Sequence, residues 1–294
     1  MKMKLASFGE ILWDLFESER HIGGAPLNIA AHAALYGFDS YLISAVGDDT
    51  LGSDALDKVT RLGIKSDFMT TIVGINTGRC IVTLDATGMP TYKIDESSAH
   101  DKIAAPEVPL SGFDVLCFGT LALRSEENIR TLGKIISEGD FTERYADLNI
   151  RAPFYSLRSI EFALRNASIV KISDEELPTV VATLGIEYTT PEAAARELSR
   201  RFPNIRLFVI TLGRDGSFCL DTAEGRVYRA PAQKANVLST VGAGDSFGAA
   251  FLASYIATRD IPRALTVASY VSAYVVSSLE AIPTGSKKVF DAVG

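Results

Sequence analysis

Short, nearly all-apolar runs recur along this chain, each separated from the next by a stretch with helical periodicity, and that rhythm restricts the fold more than any other feature. The runs are Lys4 to Phe8, Tyr41 to Val46, Val115 to Phe118, a run ending at Asp147, Ile169 to Ile172 and Leu207 to Thr211. Between them lie predicted helices at Ala25 to Tyr36, closed by Gly37, and at Ser53 to Arg61, Glu126 to Ser137 and Leu157 to Asn166. Two further helical stretches precede Leu207. A strand that is apolar on both faces must be covered on both, so the pattern predicts an α/β fold, a parallel sheet with helices on either side. With 294 residues, 47% of them hydrophobic, the chain can bury one large core. Cores stop growing beyond roughly 250 residues, so one domain spanning 1–294 with an appendage is expected.

The appendage is visible where the rhythm breaks. Arg79 to Leu84 and Thr91 to Ile94 alternate in character and read as a hairpin joined through Ala86, Thr87 and Gly88. Leu12 to His21 can add a strand, which predicts a small β lid built from about residues 12–21 and 71–100. Such a lid over a strand-end crevice would exclude water from a reaction. Near the C-terminus, Gly244 to Ile256 and Pro262 to Leu279 read as apolar helices that pack as a pair.

Charge and composition exclude several classes of function. A formal net charge of -7 argues against general binding to nucleic acid or an anionic membrane. Cys80, Cys117 and Cys219 stand far apart, without zinc or disulfide spacing, and His21, His32 and His100 form no metal motif; His32, among alanines, reads as a core residue. The apolar stretch behind Lys2 and Lys4 is broken by Glu10 and Asp14 before it could act as a secretory leader, so a cytoplasmic protein is expected.

The chemistry concentrates in STVGAGDSFGAAF, Ser239 to Phe251. Gly242, Ala243 and Gly244 carry minimal side chains just before an apolar helix, so their amides can converge on an anion that the helix N-terminus also attracts. Asp245 has the wrong sign for an anion hole. It reads either as a partner of the helix dipole or as a base that takes a proton from an attacking hydroxyl. The run is neither GxxxxGK[ST] nor GxGxxG, so neither a P-loop nucleotidase nor a Rossmann dehydrogenase follows from it.

This run resembles the DTxGAGDxF signature of the ribokinase-like (PfkB-type) carbohydrate kinases, and the resemblance covers nearly the whole chain. GEILWD, Gly9 to Asp14, followed by GGAPLNIA, Gly23 to Ala30, looks like the opening of bacterial fructokinases and 2-keto-3-deoxygluconate kinases. Asp14 offers acceptors for vicinal hydroxyls, Gly23 and Gly24 admit a sugar close to the backbone, and Asn28 has both a donor and an acceptor. Taken alone, the same residues also suit a tight turn and a helix start. Asp48, Asp49 and Gly52 also match the family, as does the stretch from Thr77 to Asp101, where Ala99, His100 and Asp101 replace a common AlaTrpAsp. Asp147 to Arg151 reproduces DxNxR, which directs Asn149 and Arg151 toward phosphate or substrate oxygens or forms a surface turn.

On the nucleotide side, the resemblance gives Glu176 of Lys171 to Glu176 an indirect role in placing Mg2+ through water, although an acidic helix start explains the same residues. It sets Ser173 at that element's Asn position, and Thr211, Gly213 and Gly216 of the TxGxxG loop beside the nucleotide phosphates. A hairpin turn into Ser217 to Leu220 explains that loop as well. Ser269 stands where many relatives place an Asn near the adenine. Ser239 replaces the signature Asp, which removes a charge and weakens the inference of a monovalent-cation site, and Glu280 replaces a frequent Gly before Ala281. The resemblance therefore implies an ATP- and Mg2+-dependent sugar kinase with Asp245 as base, fructose as first substrate and 2-keto-3-deoxygluconate as runner-up. A catalytically idle sugar sensor is the alternative of a different class. A homodimer paired through the lid sheet is expected, because open sheet edges are usually paired or covered.

Overall fold

Alternate residues of the central strands enter two different cores, one on each face of a large sheet. The computed structural model describes residues 2–17, 19–84 and 90–294, so the turn expected at Ala86, Thr87 and Gly88 lies outside the described residues. The chain begins with β1 (Lys4–Phe8), β2 (Leu12–Leu15), β3 (Arg20–Gly23), α1 (Ala25–Leu35), β4 (Asp39–Gly47) and α2 (Thr50–Arg61). Next come β5 (Met69–Ile72), β6 (Gly78–Leu84), β7 (Pro90–Ile94), β8 (Val115–Phe118), α3 (Glu126–Glu138) and β9 (Glu143–Asp147). The sequence continues through α4 (Leu157–Asn166), β10 (Ile169–Ser173), α5 (Leu177–Thr183), α6 (Pro191–Arg201) and β11 (Leu207–Thr211). It ends with β12 (Ser217–Asp221), β13 (Arg226–Ala230), α7 (Ala243–Thr258), α8 (Ile261–Val276) and α9 (Ser286–Val293).

Among the described residues the larger sheet has nine strands in the order β13-β12-β11-β10-β9-β8-β1-β4-β5. From β11 through β5 all pairs are parallel, whereas β12 and β13 are antiparallel. The sheet is therefore mixed rather than parallel throughout. β11 turns straight into β12 through Gly213 to Gly216 without a crossover helix, and a direct turn can only join antiparallel strands. In β11, Phe208 and Ile210 pack with Ile160, Val180 and Leu198 of α4, α5 and α6. Leu207 and Val209 pack instead with Phe251 and Leu265 of α7 and α8. These four strand residues are at most 1% exposed, and each contributes about 1.5–3 kcal/mol by burial. This two-faced burial is the expected α/β arrangement, and α7 and α8 do pack as a pair.

The second sheet, β3-β2-β6-β7, is the expected β appendage. Its boundaries are tighter than the sequence suggested. β5 pairs in parallel with β4 and so belongs to the main sheet, a course prepared by the bridge from Tyr41 to Lys65, and the lid's second segment starts at Gly78. His100 braces the lid base: it is fully buried, its Nδ1 lies 3.3 Å from the Ile11 carbonyl, and burial lowers its pKa to about 4. His32 is likewise a buried core residue held near 4 by burial. No described helix is long and apolar enough to cross a membrane.

Helix starts distinguish ordinary elements from those at the site. α2, α4 and α8 begin with Asp49, Ser156 and Asp260, whose side chains accept from backbone amides at 2.7, 3.1 and 2.9 Å. α1 and α7 begin instead on Gly24 and Gly242, at φ 115° and 76°, without a side-chain cap. A side chain at Gly24 would drive into the Glu10 carbonyl, and one at Gly242 into Ala281. Glycine is required at both positions by close approach as well as by φ.

Candidate active site

The uncapped start of α7 lies against the start of α1. Ser246 makes the first helical bond of α7, to the Gly242 carbonyl at 2.9 Å, so the amides of Gly244 and Asp245 lie ahead of the hydrogen-bonded ladder. The Ala243 amide donates to Thr240 at 3.3 Å, closing the turn that delivers the chain into the helix. Of the three residues expected to form an anion hole, the Ala243 amide is engaged within the turn. Asn28 of α1 donates from Nδ2 to Asp245 Oδ2 at 2.7 Å, while its own Oδ1, buried, has no partner among the described residues.

Asp245 is surrounded by competing charges. Burial raises its pKa; the Asn28 hydrogen bond and the charges of Lys171 and Arg151 oppose that rise, and Glu176 adds to it. Glu10, 2% exposed, sits at the bend between β1 and β2 with Oε2 unpartnered among the described residues. Burial pushes its carboxyl to about 7, with the backbone amides of Glu10 and Ala25 opposing and Asp245 reinforcing. Glu10 was not singled out from sequence, although an acid inside the apolar GEILWD run was the available signal.

The sugar-side candidates converge from the lid and α1. Gly23 pairs with Leu12 across the β2–β3 hairpin, and a Cβ there would stand 2.8 Å from Asp14 Oδ2, so the absence of a side chain leaves the carboxylate uncovered. Burial raises the pKa of Asp14, against a hydrogen bond from Cys80 and the charges of His21 and Arg151. Arg151 is exposed, and its charge lowers the pKa of Glu10, Asp14 and Asp245, so its guanidinium lies within electrostatic range of all three. Asn149 takes φ 41°, a left-handed conformation that Asn tolerates, where the chain turns from β9 toward Arg151.

Glu176 ties two loops together. Its Oε1 accepts from the Ile150 amide at 2.5 Å, and its Oε2 from the amide and hydroxyl of Ser173, both at 2.8 Å. Ser173 thus spends its hydroxyl on Glu176. Ser173 and Thr211 are paired at the ends of β10 and β11. Gly213, at φ 54°, and Gly216, at φ 96°, shape the following turn, and Gly216 packs so closely on Ala230 to Ala232 that a side chain would collide. This brings the turn to a cavity of about 650 Å³ lined by Pro231, Ala232, Gln233, Lys234, Tyr270, Ala273, Tyr274, Ser277 and Val289. Ser269 is 6% exposed and is not in that lining; its neighbours on α8 are. These α8 and loop residues carry no polar motif that sequence reasoning could have found. Ser239 lies on the same side, accepting from the Val241 amide at 3.2 Å.

The arrangement is an uncapped helix start with a carboxylate in its first turn, a group of polar side chains on one side and an open cavity on the other. Comparison with known proteins agrees. A fructokinase of Klebsiella pneumoniae is 29% identical over 251 residues, covering 82% of this chain and 78% of that protein. A 5-dehydro-2-deoxygluconokinase of Shouchella clausii is 28% identical over 283 residues, covering 91% and 85%. The fold matches a fructokinase with bound ATP from Xylella fastidiosa with a TM-score of 0.86 at 18% identity, over 100% of this chain and 98% of that one. The model of the pfkB family carbohydrate kinases matches residues 4–288. With nearly its whole length matched, and with the helix start and the β appendage in place, the chain belongs to the pfkB family of carbohydrate kinases.

Proposed function

We propose that this kinase transfers the terminal phosphoryl group of ATP to a hydroxyl of a ketose, fructose being the first candidate and fructose 6-phosphate its product. The observation that carries this reading is the Asp245 carboxylate, hydrogen-bonded to Asn28 at the open amides of α7. Asp14 accepts hydrogen bonds from sugar hydroxyls, and the free Asn28 Oδ1 accepts another. Asp245 takes the proton of the attacking hydroxyl as its oxygen bonds to phosphorus and the bond to ADP breaks. The amides of Gly244 and Asp245 face the charge on the transferring group, with Gly242 and Ala243 shaping the turn. The 650 Å³ cavity receives the base and ribose of the nucleotide, and Thr211, Gly213 and Gly216 flank its phosphates. The lid sheet excludes water.

The donor set fits Mg2+ held largely by ATP and water, since Mg2+ keeps several waters and needs only one or two protein carboxylates. Glu176 offers such a carboxylate: Oε2 is taken up by the amide and hydroxyl of Ser173, while Oε1, which accepts from the Ile150 amide, keeps a lone pair for a water. When bound, Mg2+ neutralises the phosphate charge. Ser239 contributes no charge for a monovalent cation.

A 2-keto-3-deoxy sugar acid is the second reading, supported by the exposed Arg151 guanidinium beside Asp14, which suits a substrate carboxylate. ADP release measured with fructose, 2-keto-3-deoxygluconate and a wider sugar panel separates the two. Turnover with none of them, despite thermal stabilisation by a sugar, would favour a sensor instead. The reading includes a homodimer formed at the lid, where β3 and β7 are the edge strands and Ile81 is 42% exposed; a monomer by light scattering would dispose of it.

A further inference from the structure

Lys171 occupies an improbable place for a cation. It interrupts β10 between Val170 and Ile172, both 0% exposed, and is itself 5% exposed. A lysine there is retained only with a partner. Its Nζ donates to both oxygens of Asp147, its register neighbour on β9, at 2.9 and 2.8 Å. The same side chain runs under α7. A Cβ on Gly244 would stand 3.2 Å from Nζ, and one on Gly248, a turn later, 3.5 Å from Lys171 Cδ and in collision with the Tyr145 hydroxyl. The face of α7 over Lys171 therefore carries glycine twice.

A positive charge beside a helix N-terminus opposes the dipole. What offsets it is the ring of carboxylates. Burial lowers the pKa of Lys171, but Asp147, Glu176 and Asp245 together raise it, so the ammonium stays charged. From the other side, Asp245 faces Asn28 on α1, Glu10 before β2, Arg151 after β9, Glu176 after β10, and Lys171. Tyr145 on β9 also senses Asp245, and its hydroxyl has no partner among the described residues. With Asp147, whose charge is also coupled to Asp245, three carboxylates and two cations act on it. Arg151 is exposed and screened by solvent, whereas Lys171 acts through buried, weakly polarisable surroundings.

We infer that Lys171, clamped by Asp147 beneath the first turn of α7, is the positioning residue that keeps Asp245 ionised and ready to accept a proton. This rests on the reading of Asp245 as the base. Lys171 neither gains nor loses a proton in the step; the hydroxyl proton passes to Asp245 alone. Asp147 sets how much of the ammonium's charge reaches Asp245.

Carboxyl NMR of protein carrying [4-13C]aspartate tests this without any substrate. The resonance missing from Asp245→Asn identifies Asp245. Its titration midpoint is expected to rise by about one pH unit or more in Lys171→Met and to fall in Asp147→Asn, which leaves the ammonium without its competing partner. Lys171→Arg should hold the midpoint near its wild-type position. Opposite shifts are not produced by a general loosening of the site. An unmoved midpoint in Lys171→Met, or movement in the same direction in both variants, overturns the inference. Should Lys171→Met fail to fold, Lys171→Gln takes its place, and an unmoved midpoint there overturns the inference, because a fall in Asp147→Asn also follows from losing the charge of Asp147 itself. The base assignment fails separately, if Asp245→Asn phosphorylates sugar at the wild-type rate.

Discussion

The two ends of the proposed reaction site are built on opposite principles. At the acceptor end, Glu10, Asn28, Lys171 and Asp147 are each at most 5% exposed, and their charges and hydrogen bonds converge on Asp245. At the nucleotide end, an open cavity is walled by backbone and by Tyr270 and Tyr274, which are 41% and 40% exposed. Buried charges interact strongly and fix one geometry, while an open cavity of weakly polar walls tolerates change. Most departures from the family pattern fall accordingly: Ser173, Ser239 and Ser269 lie on the proposed nucleotide side, His100 at the lid base is the exception, and the proposed acceptor residues Asp14, Asn28 and Asp245 match the pattern.

Substitutions can break this contrast. Asp245→Asn should lower kcat by roughly 10²- to 10⁴-fold, the usual contribution of a positioned base, with sugar binding preserved by calorimetry; wild-type turnover would end the base assignment. Glu10→Gln should remove one contribution to the pH dependence of stability. The folded carboxyl titrates at about 7 against an ordinary 4.5, so the folded state keeps a proton the unfolded chain has lost. Stability from this group is complete below the unfolded value and is lost as pH rises through the folded one, by about 3 kcal/mol in all. Urea unfolding of both proteins at the two ends of that window should show wild type losing about 3 kcal/mol more than the variant, since Asp147, His32 and His100 contribute to both alike.

Smaller effects sharpen the comparison. Asp14→Ala removes hydrogen bonds to a charged acceptor and should weaken sugar binding by roughly 30-fold, leaving ATP binding unchanged; equal losses for both ligands by calorimetry would mean that the two ends are not separate. Ala273→Leu intrudes on the cavity and should raise the KM for ATP by roughly 10-fold, with sugar-induced thermal stabilisation intact. An unchanged KM would move the nucleotide elsewhere.

Much of the fold was readable because strands buried on two faces leave a strong apolar signal. Val115 to Phe118 and Leu207 to Thr211 were bounded as observed. β5 and β13 were not foreseen as strands of the main sheet. Both are edge strands, and Arg226 and Arg229 of β13 face outward, so the apolar pattern that betrays a central strand is missing. α9 escaped as well, since its lysines leave only a narrow apolar stripe of Val289, Phe290 and Val293 against the second core. At the site, Asp245 announced itself by having the wrong sign for its surroundings. Lys171 carried an equally odd signal, a lysine within an apolar strand, but its meaning depends on which element lies above it.

Local chemistry alone determined that the chain alternates strand and helix, that Gly242 opens a helix, and that an acid stands in its first turn. Periodicity, glycine conformational freedom and the helix dipole act within a few residues, so these features are written in neighbouring positions. Tertiary structure alone decided that Asn28 meets Asp245 across 217 residues of chain, and that Lys171 and Asp147 lie beneath the same helix turn. Those contacts depend on the order in which the strands assemble and on which face of α7 turns inward, and packing of the whole core selects both.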